Sequence, residues 1–160
     1  MKTKLIIGWR EWVGLPAFGI EAIKAKIDTG AKTSALHAYD VTTHKSHGQE
    51  WAEFFIHPVQ KRKRPEIRCK APVVDEKLIK SSNGLSELRL VVSTELQLGP
   101  FTRTVQLTLT NRDEMGFRML IGREALKGQY IVDSGVSYGL GDRADDGMIA
   151  ILEELEEGGA

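Results

Sequence analysis

A mainly β domain is the fold class this sequence predicts, and three observations lead to it. Alternating or short apolar runs recur along the 160 residues. Glycine-rich turn signals separate them. Only residues 123–127 carry helix punctuation, opened by Ile121-Gly122 and stopped by Gly128.

The elements follow in chain order. Residues 4–7, 22–27 and 51–57 read as strands. Residues 71–80 and 87–92 flank Ser81, Ser82, Asn83 and Gly84, a strong turn, and read as a hairpin. Residues 87–98 (ELRLVVSTELQL) and 102–110 (TRTVQLTLT) flank Leu98-Gly99-Pro100-Phe101 and read as a second hairpin. The total expected is about seven or eight strands. Residues 1–150 form the domain and 151–160 an acidic C-terminal tail; the stretch GLGDRADDGMIAILEELEEGGA (139–160) turns acidic and reads as a short amphipathic helix followed by frayed residues.

Composition narrows the function classes. Lys+Arg and Asp+Glu both number 22, so no whole-chain field draws the molecule to nucleic acid or membrane. A single cysteine, Cys69, rules out an intramolecular disulfide framework and fits a reducing compartment. The first apolar run, residues 5–7, is too short for a signal-peptide core or a membrane span. A cytoplasmic domain is the expectation.

The stretch KIDTGAKTSALHA, residues 26–38, places a carboxylate at the end of an apolar strand. Asp28-Thr29-Gly30 is an ordinary strand-ending turn if taken alone, because Asp hydrogen-bonds its own backbone and Gly relaxes the turn. Its context adds a second reading. Ala25 and Ile27 make the approach apolar, and Leu120-Ile121-Gly122-Arg123 recurs late, leading into the predicted helix. An apolar strand ending in Asp-Thr-Gly-Ala, with a later apolar-apolar-Gly-Arg, resembles a retropepsin-like aspartic peptidase subunit.

The resemblance is closest to a small bacterial family labelled ATP-dependent zinc proteases and linked with ribosomal-protein glutamate ligases. It is carried by GWREWVGLP (8–16), AKIDTGAKTSALHA (25–38), APVVDEKLIKSSNGLSELRLVV (71–92), LTLTNRDEMGFRMLIGREAL (107–126) and VDSGVSY (132–138). It implies an acid-protease barrel with one short helix and a flap hairpin. It also implies Asp28 as the catalytic carboxylate, Thr29 and Gly30 as the residues fixing its loop, and a homodimer that brings two Asp28 carboxylates together. A partner that adds glutamates, and a peptide or acidic polypeptide substrate, follow from the same resemblance. Val132-Asp133-Ser134-Gly135 repeats the apolar-Asp-Ser/Thr-Gly pattern and offers a single-chain partner for Asp28. It comes after the helix, with no hairpin following, and a turn after a C-terminal strand is the simpler reading.

The residues weigh against the zinc and ATP in the label. His-Glu-x-x-His is absent, as is a Gly-x-x-x-x-Gly-Lys-Ser/Thr phosphate loop. His44 and His47, with Glu50 nearby, have metal-sharing spacing but a polar, loop-like setting; His37 is expected to pack or cap beside the Asp-Thr-Gly turn. No cofactor and no metal site are expected.

Substrate contacts are expected from Ala31, Lys32 and Arg123, and from Ser81, Ser82, Asn83 and Gly84 at the flap. The retropepsin pattern places an acid just past the Asp-Thr-Gly-Ala run to pair with the Arg. Here Lys32-Thr33-Ser34 stands there, so Arg123 pairs elsewhere, with Asp113 or Glu124, or faces substrate. Lys32, with Arg68, Lys70, Lys77, Lys80 and Arg89 around the hairpin, suggests a positive cleft; a solvated face explains the same residues. Lys61-Arg62-Lys63-Arg64 reads as an exposed loop, with an RNA-facing patch as the weaker alternative. A non-catalytic peptide-binding module of the same fold remains the competing function.

Overall fold

The computed structural model describes residues 3–59, 63–80, 84–111 and 116–141, with backbone alone at 79 and 80. The described elements are β1 (Leu5–Ile7), β2 (Arg10–Leu15), β3 (Ile20–Asp28), β4 (Ser34–His37), β5 (Tyr39–Ser46) and β6 (Gln49–Ile56). They continue with β7 (Ile67–Lys80), β8 (Ser86–Leu98), β9 (Phe101–Thr110), β10 (Met119–Gly122), α1 (Arg123–Leu126) and β11 (Tyr130–Val132). The fold is mainly β, as predicted, but with more strands than the sequence suggests.

Two of the additional strands have clear physical causes. β5 is exposed along six of its eight residues, so it lacks the apolar alternation that marks a strand. Its order comes from pairing with β6 across a two-residue turn, His47-Gly48, where both residues take positive φ (53° and 78°). His44 and His47 therefore belong to a hairpin rather than a loop. β4 is only four residues long and is held between β10 and β9, which supply its edges.

Nine strands form one sheet in the order β2-β3-β10-β4-β9-β8-β7-β6-β5, while β1 and β11 pair in parallel as a separate ribbon. The large sheet turns back on itself where Gly14 of β2 pairs with Gln97 of β8. That one bridge falls short of a closed barrel, and β5 ends the sheet order among the described strands. The core lies inside the fold-back. Leu15, Ile20, Ile23, Leu36, Phe54, Leu96, Leu107 and Ile121 are fully buried in it, and Phe18 meets Phe54 edge-on at 5.5 Å. Cys69 is buried with them, and that burial pushes its thiol pKa up to about 12, which leaves it an inert core residue.

The two predicted hairpins are present. β8 and β9 join through Gly99-Pro100, where Gly99 has φ 65°. β7 and β8, fourteen and thirteen residues long, project beyond the core. Leu78 and Leu88 face each other across that hairpin yet remain 68% and 59% exposed. Ser81, Ser82 and Asn83, the expected flap tip, lie outside the described residues, as do Lys61, Arg62, Asp113 and the acidic tail; Gly84 follows the tip with φ 83°. α1 ends one residue earlier than predicted and buries Ala125 and Leu126. No described helix is long and apolar enough to cross a membrane.

Candidate active site

Asp28 is the last residue of β3, and β3 runs parallel to β10 with Asp28 level with Gly122. The chain then turns at once. Gly30 N–H donates to Asp28 Oδ1 at 3.1 Å, and Ala31 N–H donates to the Asp28 carbonyl at 3.2 Å. The carboxylate is thus oriented by its own loop, as an Asx turn requires. Asp28 is half-buried, while Thr29 and Gly30 face outward.

The β10–α1 corner holds this loop from behind. Arg123 Nη1 donates to the Gly30 carbonyl at 3.1 Å, and Arg123 N–H donates to the Ala31 carbonyl at 2.8 Å. Glu124 N–H donates to the Lys32 carbonyl at 3.1 Å, and Gly122 N–H donates to Ser34 Oγ at 3.0 Å. The first amides of a helix have no intrahelical partner, and here the loop carbonyls accept from them. Among the described residues Arg123 forms no ion pair with Glu124, and a backbone carbonyl stands where the retropepsin pattern would supply a carboxylate; Asp113, the other expected partner, lies outside the described residues.

Gly122 is required by the closeness of this packing. A Cβ there would lie 2.7 Å from the Thr33 carbonyl carbon, 2.8 Å from its oxygen and 2.9 Å from the Lys32 oxygen. Backbone atoms cannot swing aside, so Gly122→Ala is expected to cost roughly 2–3 kcal/mol of stability. Thermal denaturation measures this, and a loss under about 0.5 kcal/mol, the usual scatter of surface changes, would contradict the packing.

Asp133-Ser134-Gly135 makes the same turn. Gly135 N–H donates to Asp133 Oδ1 at 2.9 Å, and Val136 N–H to the Asp133 carbonyl at 3.1 Å. The two turns flank one segment, residues 7–9. Ile27 N–H donates to the Trp9 carbonyl on one side, and Asp133 N–H to the Ile7 carbonyl on the other. A strand thus lies between them, which puts their backbones about 10 Å apart at ordinary sheet spacing. Thr29 and Ser134 line one open cavity of about 650 Å³ with Leu126, Tyr130 and Val132.

A second cavity, about 540 Å³, opens on the other side of the loop. Lys32, Thr33 and Ser34 form one wall, Asp75 and Lys77 of the hairpin another, and Arg103 with Glu124 the remainder. Lys77 Nζ reaches Thr33 Oγ1 at 3.2 Å, and Arg103 Nη1 donates to the Ala125 and Lys127 carbonyls. The cations that line this cavity are therefore Lys32, Lys77 and Arg103. Arg68 and Lys70 are elsewhere, Arg68 on Glu53 at 2.9 Å and Lys70 over the Trp51 ring. Arg89 lines a small separate cavity with His37, away from the Asp28 turn. His37 belongs to β4, where its N–H bonds the Arg118 carbonyl, rather than to that turn.

Sequence reasoning passed over Ser34 and Glu11. Glu11 is wholly buried and accepts from Gly8 N–H at 2.6 Å, Gly139 N–H at 2.8 Å and Leu140 N–H at 3.1 Å. Its position could have been read from alternation, since it shares the inward face of β2 with Val13 and Leu15. It fastens residues 139–140 to the segment that backs Asp28. Among the described residues no three His, Cys, Asp or Glu side chains gather as a metal site.

A mainly β fold that ends an apolar strand in Asp-Thr-Gly and braces the turn with a Gly-Arg corner defines a retropepsin-like protein. The family model described as RimB-like, retropepsin-like aspartic endopeptidase RimB, matches residues 6–140, and the chain belongs to that family. Among curated proteins, a probable alpha-L-glutamate ligase of Shewanella pealeana is 48% identical over 89% of this chain, and one of Desulfotalea psychrophila is 44% identical over 98%. These matches cover 31% and 34% of the two relatives, so the chain spans about a third of their length. A crystal structure of a Legionella pneumophila protein of unknown function superposes with a TM-score of 0.72 at 26% identity, covering 87% of this chain and all of that one.

Proposed function

We propose that the protein is an aspartic-type peptidase that hydrolyses peptide or glutamyl bonds through two Asp28 carboxylates, one from each subunit of a homodimer. The observation that carries this reading is the braced Asx turn, which presents Asp28 on a loop that α1 holds by three hydrogen bonds, with Gly122 of β10 donating to Ser34 where the loop enters β4. Two carboxylates held close together share one proton. The ionised one takes a proton from the attacking water, and its protonated partner polarises the scissile carbonyl. Replacing Asp28 by Asn tests the assignment directly.

The need for a second copy has support in the surface beside the turn. Thr29 is exposed in the single chain, and the cavity it lines runs toward β11. Ile6 and Ile131, paired across the β1–β11 ribbon, remain 59% and 52% exposed. An apolar pair beside a half-complete site suits burial against its two-fold mate. Ile131→Asp is expected to shift sedimentation from dimer to monomer and remove turnover together. A monomeric variant with full activity would point instead to the single-chain pair of Asp28 and Asp133, whose turns match but stand a strand apart.

The substrate class we infer is an acidic or glutamate-extended polypeptide. Lys32 stands just past the Asp-Thr-Gly-Ala run, where a retropepsin carries an acid, and Lys77 of the hairpin reaches Thr33 beside it. The relatives' printed name, glutamate ligase, is consistent with a functional link to an enzyme that adds glutamates. A peptide-binding module without turnover is the alternative, and the absence of hydrolysis in a confirmed dimer would favour it.

A further inference from the structure

Arg89 Nε of β8 and Thr110 Oγ1 of β9 are buried and have no hydrogen-bond partner among the described residues. Native structures pair nearly all such groups, so each exception needs a physical reason. Both residues line one cavity of about 90 Å³, together with His37, Arg118, Ala35 and Leu120. That volume has room for roughly three waters, or for a carboxyl group.

Sheet register relates this cavity to Asp28. Thr110 pairs with His37, whose N–H donates to the Arg118 carbonyl, and Arg89 stands two residues from Val91, which pairs with Thr108. These four residues form one row across β8, β9, β4 and the entry to β10. In the next row Ala35 pairs with Leu120, and Leu120 with Lys26. Lys26 and Asp28 are two residues apart on the outward face of β3, so both rows share the face that carries the carboxylate. Along the strands, Leu120 lies roughly 7 Å and Arg118 roughly 13 Å from the level of Asp28.

We propose that this cavity is a specificity subsite for a side-chain carboxylate of the polypeptide substrate, recognised by Arg89 and Thr110. This rests on the acidic-substrate reading. The Arg89 side chain is only 16% exposed, and its Nη2 lies 3.6 Å from Glu87 Oε2, beyond hydrogen-bond range. Its Nε edge therefore has donor capacity for a second carboxylate, and a guanidinium matches that planar group. Arg118 adds a second guanidinium to the lining, its Nη1 fixed by the His57 and Val59 carbonyls at 3.0 Å each. Among the described residues no acid lines this cavity, whereas Asp75 and Glu124 stand beside the cations of the larger one. An extended substrate places side chains of one face about 7 Å apart. The acid selected here is thus on the order of two to four residues from the bond presented to Asp28.

The test uses the full chain and C-terminally amidated, fluorescein-labelled hexaglutamate, whose peptide part offers only side-chain carboxylates. Arg89→Gln should bind it about tenfold more weakly, as for a lost hydrogen bond to a charged group. Arg68→Gln removes the same charge from an exposed pair with Glu53 and should change binding by about twofold or less. Thr110→Val alters no charge and is the sharper probe. Its Tm should equal or exceed that of wild type, because an unsatisfied buried hydroxyl is removed, yet its affinity should fall about three- to tenfold. In protein labelled with 15N-arginine, the Arg89 Nε–H resonance, assigned by its loss in Arg89→Lys, should shift with hexaglutamate and not with hexaglutamine. Wild-type binding by Thr110→Val, a stationary Arg89 resonance, or equal weakening by Arg89→Gln and Arg68→Gln would overturn the subsite and leave acidic recognition standing. If wild type binds hexaglutamate no better than hexaglutamine, the acidic-substrate reading fails and the subsite with it. Should Arg89→Gln not fold, Thr110→Val decides.

Discussion

Asp28→Asn is expected to lower hydrolysis by about a thousandfold or more, the upper range for removing a positioned acid–base group. The fold should survive the change. The Gly30 N–H needs an acceptor, and the Asn carbonyl oxygen supplies one in the place of Oδ1. Arg123 and Gly122 hold the loop through its backbone carbonyls and Ser34, none of which the substitution touches. Circular dichroism and sedimentation should therefore match wild type while turnover of an acidic peptide is lost. Wild-type turnover in this variant would remove Asp28 from the chemistry altogether.

The second large effect is on stability. Glu11→Ala is expected to cost about 2–4 kcal/mol, because three backbone N–H groups, one buried and two part-buried, lose their acceptor at once. For a chain of this size that corresponds to a fall of roughly 10 °C in Tm. Glu11→Gln should lose less, since its amide oxygen still accepts from part of the set. Activity should fall with stability in the Ala variant. Glu11 joins residues 139–140 to Gly8, and the neighbouring Trp9 carbonyl accepts from Ile27, one residue before Asp28. Equal melting temperatures for wild type and Glu11→Ala would show that the carboxylate does not anchor this region.

The legible parts of the sequence were those with local chemistry. β3 and the two hairpins show their apolar alternation and turn residues, so their existence and order were readable, as was the retropepsin-like family once Leu120–Arg123 was set beside Asp28. β5 was not readable, because its exposed polar residues owe their order to β6 rather than to burial. The partner of Arg123 was invisible for a related reason. A carbonyl acceptor belongs to every residue, so a search for an acidic side chain could not find Gly30. The cation set was misassigned because proximity along β7 and β8 does not say which face a side chain takes. Arg68 and Lys70 turned out to be committed to Glu53 and Trp51, and Arg103, from a different hairpin, took their place.

The parallel alignment of Asp28 with Gly122 also has a consequence for synthesis. The Arg123 guanidinium and the Gly30 carbonyl it bonds are 93 residues apart in the chain. At ordinary translation rates of about 5–20 residues per second, several seconds pass between the emergence of the carboxylate loop and that of its brace. β1 must wait longer still for β11. A nascent chain thus carries the Asp-Thr-Gly turn without the corner that orients it, so assembly of the proposed half-site waits until Arg123 has emerged.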